Sequence, residues 1–237
     1  MCEVMGIVNV TPDSFSDGGK YFKPEEAVRR AANIAAEGAA IVDVGGESTR
    51  PGAEPIDWDE EWARVEPVIR GISRADVACT ISVDTYHPET AERAVAAGAG
   101  MINCVYAESI PEMLKICTRT GAELVSPAEC AGLLRAAGRL DRAYLDPMIG
   151  FGTTREEDLN LLRSIPALAA EGRVLVGASR KRIVQRLSGV KTVGKNLGGS
   201  IAVAVWAALN GASVVRVHDV KETVAALKTS EFLKRGK

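Results

Sequence analysis

The chain has 237 residues, 46% hydrophobic and 25% charged, with a formal net charge of -2 and a pI near 5.9. These are ordinary values for a globular protein. The near-neutral balance gives no broad basic surface for nucleic acid or for an anionic membrane, so an anionic ligand must be held by local groups rather than a global field.

Short apolar runs rich in Val and Ile alternate with longer amphipathic segments. In chain order the pattern predicts a strand at Val4–Val10, a helix at Pro24–Glu37, a strand at Ala40–Val44 and a helix at Asp59–Arg74. A strand at Ala78–Val83, a helix at Pro88–Ala97, a strand at Met101–Val105 and a helix at Ile110–Gly121 follow. Next come a strand at Ala122–Val125, a helix at Ala128–Gly138, a strand at Ala143–Leu145 and a helix at Arg155–Glu171. The pattern closes with a strand at Val174–Val176, a helical stretch running to Ala208, a strand at Ser213–Val217 and a helix at Val220–Lys234. The strands mostly lack strict alternation, as parallel strands buried on both faces do. Pro24 suits a first helical turn, and Gly38, Gly98, Gly121, Gly172 and Gly211 are each expected to cap a helix in the left-handed conformation. Eight strand–helix units predict an α/β fold, a closed (β/α)8 TIM barrel, in one domain over residues 1–237. A doubly wound open sheet is the alternative, and it usually has fewer strands.

The five cysteines (Cys2, Cys79, Cys104, Cys117 and Cys130) are odd in number and widely spaced, without a C-x-x-C pair. That fits reduced thiols better than a disulfide framework or a zinc site. No apolar run approaches the roughly 18 residues of a membrane span, and no basic segment followed by an apolar stretch opens the chain. The expectation is a cytoplasmic protein with no nucleic-acid or membrane partner.

In such a barrel the chemistry sits where strands end and βα loops begin. Those positions carry Asn9, Asp43, Asp84-Thr85, Asn103, Asp146, Ser179-Arg180-Lys181 and Arg216-Val217-His218. Asp84, Asn103 and Asp146 suit a flat heterocycle rich in N–H donors, because carboxylates pair strongly with amidine-like edges. Lys181 suits the ring's acceptor atoms. Arg50, Arg216, His218 and the Gly-rich loops suit a diphosphate. Asn9 offers oxygen to Mg²⁺, which takes few protein ligands besides phosphate and water.

The same residues arrive in a recognisable order. Gly6 to Gly19 (GIVNVTPDSFSDGG) and Asp43 to Gly52 (DVGGESTRPG) resemble the first two signatures of the dihydropteroate synthases. Ser82-Val83-Asp84-Thr85, Ile102-Asn103, Asp146 to Gly152, Gly177 to Lys181 and Arg216 to Val220 complete the set. The resemblance implies condensation of 6-hydroxymethyl-7,8-dihydropterin diphosphate with p-aminobenzoate, with loss of pyrophosphate and with Mg²⁺ as cofactor. It implies Asp84, Asn103, Asp146 and Lys181 in the pterin pocket, and Asn9, Arg216 and His218 at Mg²⁺ and pyrophosphate. Thr49, Arg50 and Pro51 would lie in a loop that closes over p-aminobenzoate, with Phe151 and Lys181 near that ring. A homodimer is the family's usual state, and Ile201–Leu209 is an apolar candidate for its interface.

The sequence departs from the family pattern in four places. Cys104 stands where Asp usually follows the Ile-Asn pair. Leu124-Val125-Ser126-Pro127 stands where a Met-His-Met-type segment would end the fifth strand, and the helix after it looks trimmed. Thr153 replaces a Lys, and Arg182 replaces a Ser near the carboxylate end of p-aminobenzoate.

Several residues keep two readings. Asp43 lies one step inside its strand and serves either the site or the framework. Glu47 is either catalytic or a loop brace. His87, before Pro88, reads as a cap or a surface group, and Cys104 as a small core residue rather than a reactive thiol. Gly198-Gly199-Ser200 serves either a phosphate or close helix packing. A pterin-dependent methyltransferase shares the barrel and pocket Asp and Asn, but does not need the Arg216/His218 pair. A non-catalytic pterin-binding paralogue is the third reading.

Overall fold

The computed structural model describes residues 1–11, 23–48, 54–190, 192 and 196–235. Eight strands close into a barrel in sequence order: β1 (Glu3–Asn9), β2 (Ile41–Gly45), β3 (Thr80–Asp84), β4 (Met101–Asn103), β5 (Glu123–Pro127), β6 (Ala143–Asp146), β7 (Arg173–Val176) and β8 (Val214–Val217). Every neighbouring pair is parallel. Around them lie α1 (Pro24–Ala36), α2 (Trp58–Arg74), α3 (Pro88–Ala96), α4 (Ile110–Thr120), α5 (Ala131–Ala136), α6 (Arg155–Arg163), α7 (Ile165–Glu171), α8 (Arg182–Ser188), α9 (Leu197–Leu209) and α10 (Val220–Arg235). This is the (β/α)8 barrel that the alternating pattern predicts, not the open sheet.

Alternation along each strand divides the apolar residues into two sets. Val4, Val8, Val42, Val44 and Val83 belong to the large core shared with the helices. Met5, Ile41, Met101, Val125, Tyr144, Leu175 and Val214 form a second cluster inside the barrel. At the carboxyl ends the inward positions turn polar. Asn9 lies opposite Gly45, Gly45 opposite Asp84, and Asp84 opposite Asn103. Four consecutive strands therefore bring their last residues to one level, on one face.

Helix ends depart from the sequence reading where local chemistry decides. The segment 155–171 is broken at Ser164 into α6 and α7. Pro166, in the first turn of α7, lacks the N–H that a continuous helix needs. The stretch before β8 likewise divides into α8 and α9. Between β5 and β6 stand two 3-10 turns (Ala128–Cys130 and Leu140–Arg142) and the six-residue α5, so the helix after β5 is short, as read from the sequence. Gly38, Gly98, Gly121 and Gly211 have φ of 103°, 117°, 81° and 101°, as left-handed caps require. Gly172 does not: at φ -173° it is extended and feeds α7 straight into β7.

Candidate active site

Asp84, Asn103 and Asp146 end β3, β4 and β6 and converge on the barrel mouth with Arg216 from β8. Arg216 lies between two carboxylates. Its Nε donates to Asp43 Oδ2 at 2.6 Å and its Nη2 donates to Asp84 Oδ2 at 2.6 Å. Asp43 is 0% exposed, and the same Oδ2 accepts a second donor, Asn103 Nδ2, at 3.0 Å. Gly45, two residues further along β2, keeps the space above Asp43 open; a Cβ there would lie 3.4 Å from Asp84 Cβ.

Burial pushes the Asp84 carboxyl up to about 7, against the pull of Arg216 and with the help of Asp43 and Glu61. Burial also raises Asp146, partly offset by Lys181 and the Met148 N–H. It opposes the charge of Arg216 as well, but Asp43 and Asp84 outweigh it and hold that guanidinium above its ordinary value.

The β6–α6 loop is built around Asp146 and Asp158. Asp146 Oδ1 accepts the Met148 N–H at 2.7 Å. Asp158 Oδ1 accepts the Gly150 N–H at 2.6 Å and the Thr153 hydroxyl at 2.5 Å. Thr153 thus closes the loop on itself. Gly150 has φ +77°, and a Cβ there would meet Lys181 Cδ at 2.9 Å, so glycine is required twice over. Lys181 Nζ donates to Ile149 O at 2.5 Å and lies 4.2 Å from the centroid of the Phe151 ring. Burial lowers Lys181 to about 8, against Asp146.

On the β7–β8 side, Ser179 Oγ and His218 Nδ1 are 3.1 Å apart. Arg180 holds the left-handed φ of 62° and grips Asp219 through Nε at 3.2 Å and Nη2 at 2.6 Å. That fork ties the loop carrying Lys181 to the end of β8. Gly199 settles on helix packing: a Cβ there would meet Ser188 Cβ at 2.8 Å, while Ser200 Oγ accepts the Arg180 N–H at 3.1 Å.

On the β2–β3 side, Glu47 is a loop brace. Its Oε1 accepts from Tyr86 OH at 3.0 Å, and its Oε2 lies 3.5 Å from His87 Nε2. His87 occupies the N-cap position of α3, as expected, but it caps through its backbone carbonyl, which accepts the Ala91 N–H at 3.0 Å. Its side chain makes no capping bond to α3 and is only 19% exposed. Cys104 is fully buried, its thiol pushed up to about 12 by burial, and it belongs to the core.

The structure thus brings Asp84, Asn103, Asp146, Lys181, Phe151, Arg216 and His218 to the mouth, with Asn9 ending β1 there. Thr49, Arg50 and Pro51 lie outside the described residues, as does the segment 12–22. Two residues were missed or left open by sequence reasoning. Asp43 needed the register of four strands to be understood. Asp158 lies just past a capping box, Thr154 with Glu157, which is legible in sequence and marks the loop's end. Among the described residues no group of three or more His, Cys, Asp or Glu side chains is arranged for a metal. A hollow lined by Leu140, Arg173, Gly211 and Ser213 opens at the opposite face, away from these groups.

A closed parallel barrel with two carboxylates, an amide, a buried lysine and an arginine at its carboxyl-end mouth is the architecture of a pterin-binding enzyme, and the family described as "Pterin binding enzyme" matches residues 5–132 and 131–218. The chain belongs to the dihydropteroate synthases of that family. It is 39% identical to the dihydropteroate synthase of Neisseria meningitidis serogroup C over 98% of this chain and 92% of that protein. A solved Xanthomonas albilineans dihydropteroate synthase with 4-aminobenzoic acid superposes with a TM-score of 0.91 at 40% identity, covering 100% of this chain and 94% of that one. Another structure from that organism, in complex with 7,8-dihydropteroate, gives 0.87 at 38% identity, covering 100% and 95%.

Proposed function

We infer that this barrel, acting as one domain, condenses a dihydropterin diphosphate with p-aminobenzoate to give 7,8-dihydropteroate and pyrophosphate. The observation that carries the reading is the set of acceptors Asp84, Asn103 and Asp146 around one mouth, with Lys181 and Arg216 between them. The solved relatives with 4-aminobenzoic acid and with 7,8-dihydropteroate support it.

The reaction breaks the bond between the pterin methylene and the diphosphate oxygen, and the electron pair leaves with pyrophosphate. The aniline nitrogen then bonds to the methylene and loses a proton. No strong base or protein nucleophile is required. The protein's task is to stabilise developing charge with fixed groups and to align two partners. Asp84, Asn103 and Asp146 accept from the pterin's donor edge, and the Asp84 carboxylate favours positive charge spreading into the ring. Lys181 donates to the ring's acceptors. Phe151 packs against p-aminobenzoate, and Arg182, exposed at the start of α8, suits its carboxylate. Arg216 and His218 receive the diphosphate as it departs.

The donor set fits Mg²⁺ brought in with a diphosphate: Asn9, at the mouth beside Gly45, would offer it one protein oxygen. When bound, such an ion would supply charge neutralisation for the leaving group. The five thiols are unpaired, in keeping with a cytoplasmic protein, and no helix of the described residues is long and apolar enough to cross a membrane. The exposed Trp206 and Leu209 on α9, 39% and 50% accessible, suit a homodimer interface.

The test is pyrophosphate release from 6-hydroxymethyl-7,8-dihydropterin diphosphate, with p-aminobenzoate and Mg²⁺ omitted in turn. Release that depends on both supports the reading, and equal release without p-aminobenzoate counts against it.

A further inference from the structure

The carboxylate of Asp43 lies beneath the groups that meet substrate. It is 0% exposed and sits one inward position below Gly45, level with Ser82 of β3. Its Oδ2 takes two donors from two different strands, Asn103 Nδ2 and Arg216 Nε, while Arg216 reaches on to Asp84. A carboxylate is acceptor-only. An asparagine amide that faces it must turn its NH₂ inward, and the amide's orientation follows from that partner. Asn103, 2% exposed, therefore has its Oδ1 directed away from Asp43, and that oxygen is buried and without a partner among the described residues.

We propose that Asp43 is a positioning residue which, by holding Asn103 and Arg216 on one oxygen, makes Asn103 present an acceptor rather than a donor to the pterin. The proposal rests on the pterin reading above. A neutral amide at 43 can meet Asn103 with its oxygen or with its NH₂, so Asn103 no longer has one enforced direction, and in the flipped state a donor faces the pterin's own donors. The same oxygen sets Arg216 for Asp84, so one buried group orients three mouth residues on β3, β4 and β8.

The experiment is calorimetric binding of 6-hydroxymethylpterin, which lacks the leaving group, to the full chain and three variants. Asp43→Asn is expected to bind it about tenfold or more weakly, with a KM for p-aminobenzoate near the parent value at saturating pterin diphosphate. Asn103→Asp, with two carboxylates face to face, is expected to bind weakly too. The swap Asp43→Asn/Asn103→Asp restores one donor and one acceptor between the two positions and still leaves an outward oxygen. It is expected to recover binding to within about threefold of the parent. The swap keeps volume and charge, so it also serves if Asp43→Asn does not fold. Parent-like pterin binding in a folded Asp43→Asn, or a folded swap no better than Asn103→Asp, overturns the proposal. Failure of the parent chain itself to bind the pterin overturns the functional reading and this one with it.

Discussion

The Lys181 ammonium lies 4.2 Å from the centroid of the Phe151 ring while donating to Ile149 O at 2.5 Å. The contact joins the β6–α6 loop to the β7–α8 loop, and it constrains a charge that burial has already brought down to about 8.

A pH profile follows. Lys181 is charged below about 8 and loses its charge as pH rises through that value. Asp84 is ionised above about 7 and protonated below it. The competent site has both charged, so kcat/KM for the pterin diphosphate should be bell-shaped, with apparent values near 7 and 8 that belong to the coupled site. Lys181→Arg should remove the alkaline limb from what activity remains. An unchanged limb in that variant would assign the titration elsewhere.

Asp84→Asn should cost turnover far more than stability. Arg216 retains Asp43, and an Asn at 84 still accepts one hydrogen bond, so a shift of only a few degrees in Tm is expected. Loss of the charge facing the ring should lower kcat by about a hundredfold or more, in the range of a preorganised electrostatic contact. Unchanged turnover would remove Asp84 from the chemistry.

Arg216→Ala behaves differently because it strips the partner from a fully buried carboxylate, Asp43. Breaking such a pair costs about 3–5 kcal/mol, and denaturant unfolding should register it. Arg216→Lys keeps a charge but not the fork, so it is the variant in which to look for weaker pyrophosphate retention. Parent-like stability in Arg216→Ala would mean that Asp43 is not held as described.

These expectations show how far the chain could be read in advance. Val- and Ile-rich runs such as Ile41–Val44 are legible because strands buried on both faces need them. Asp84, Asn103 and Asp146 are legible because a barrel concentrates its chemistry at strand ends. Asp43 is not, since its partners lie 60 and 173 residues away and only the strand register joins them. His87 is half legible for a similar reason: its position before Pro88 marks the N-cap of α3, but nothing local shows that the ring turns toward Glu47 on another loop. The break at Ser164 carried a local signal in Pro166, which the apolar periodicity on either side of it obscured.

Asp158→Ala tests the carboxylate that anchors the β6–α6 loop, a residue not singled out from the sequence. It removes the charged acceptor shared by the Thr153 hydroxyl and the Gly150 N–H, which keeps only Thr153 Oγ1 at 3.1 Å, at a cost of about 1–3 kcal/mol. The Tm should fall and the KM for p-aminobenzoate should rise, because Phe151 loses its fixed loop. A normal KM alongside the lowered Tm would limit Asp158 to a structural part.

The most direct measurement incubates the protein with 6-hydroxymethyl-7,8-dihydropterin diphosphate, Mg²⁺ and p-aminobenzoate and follows 7,8-dihydropteroate by mass. Product is expected to form only when all three are present. Tight binding of the diphosphate with no dihydropteroate formed would contradict this expectation.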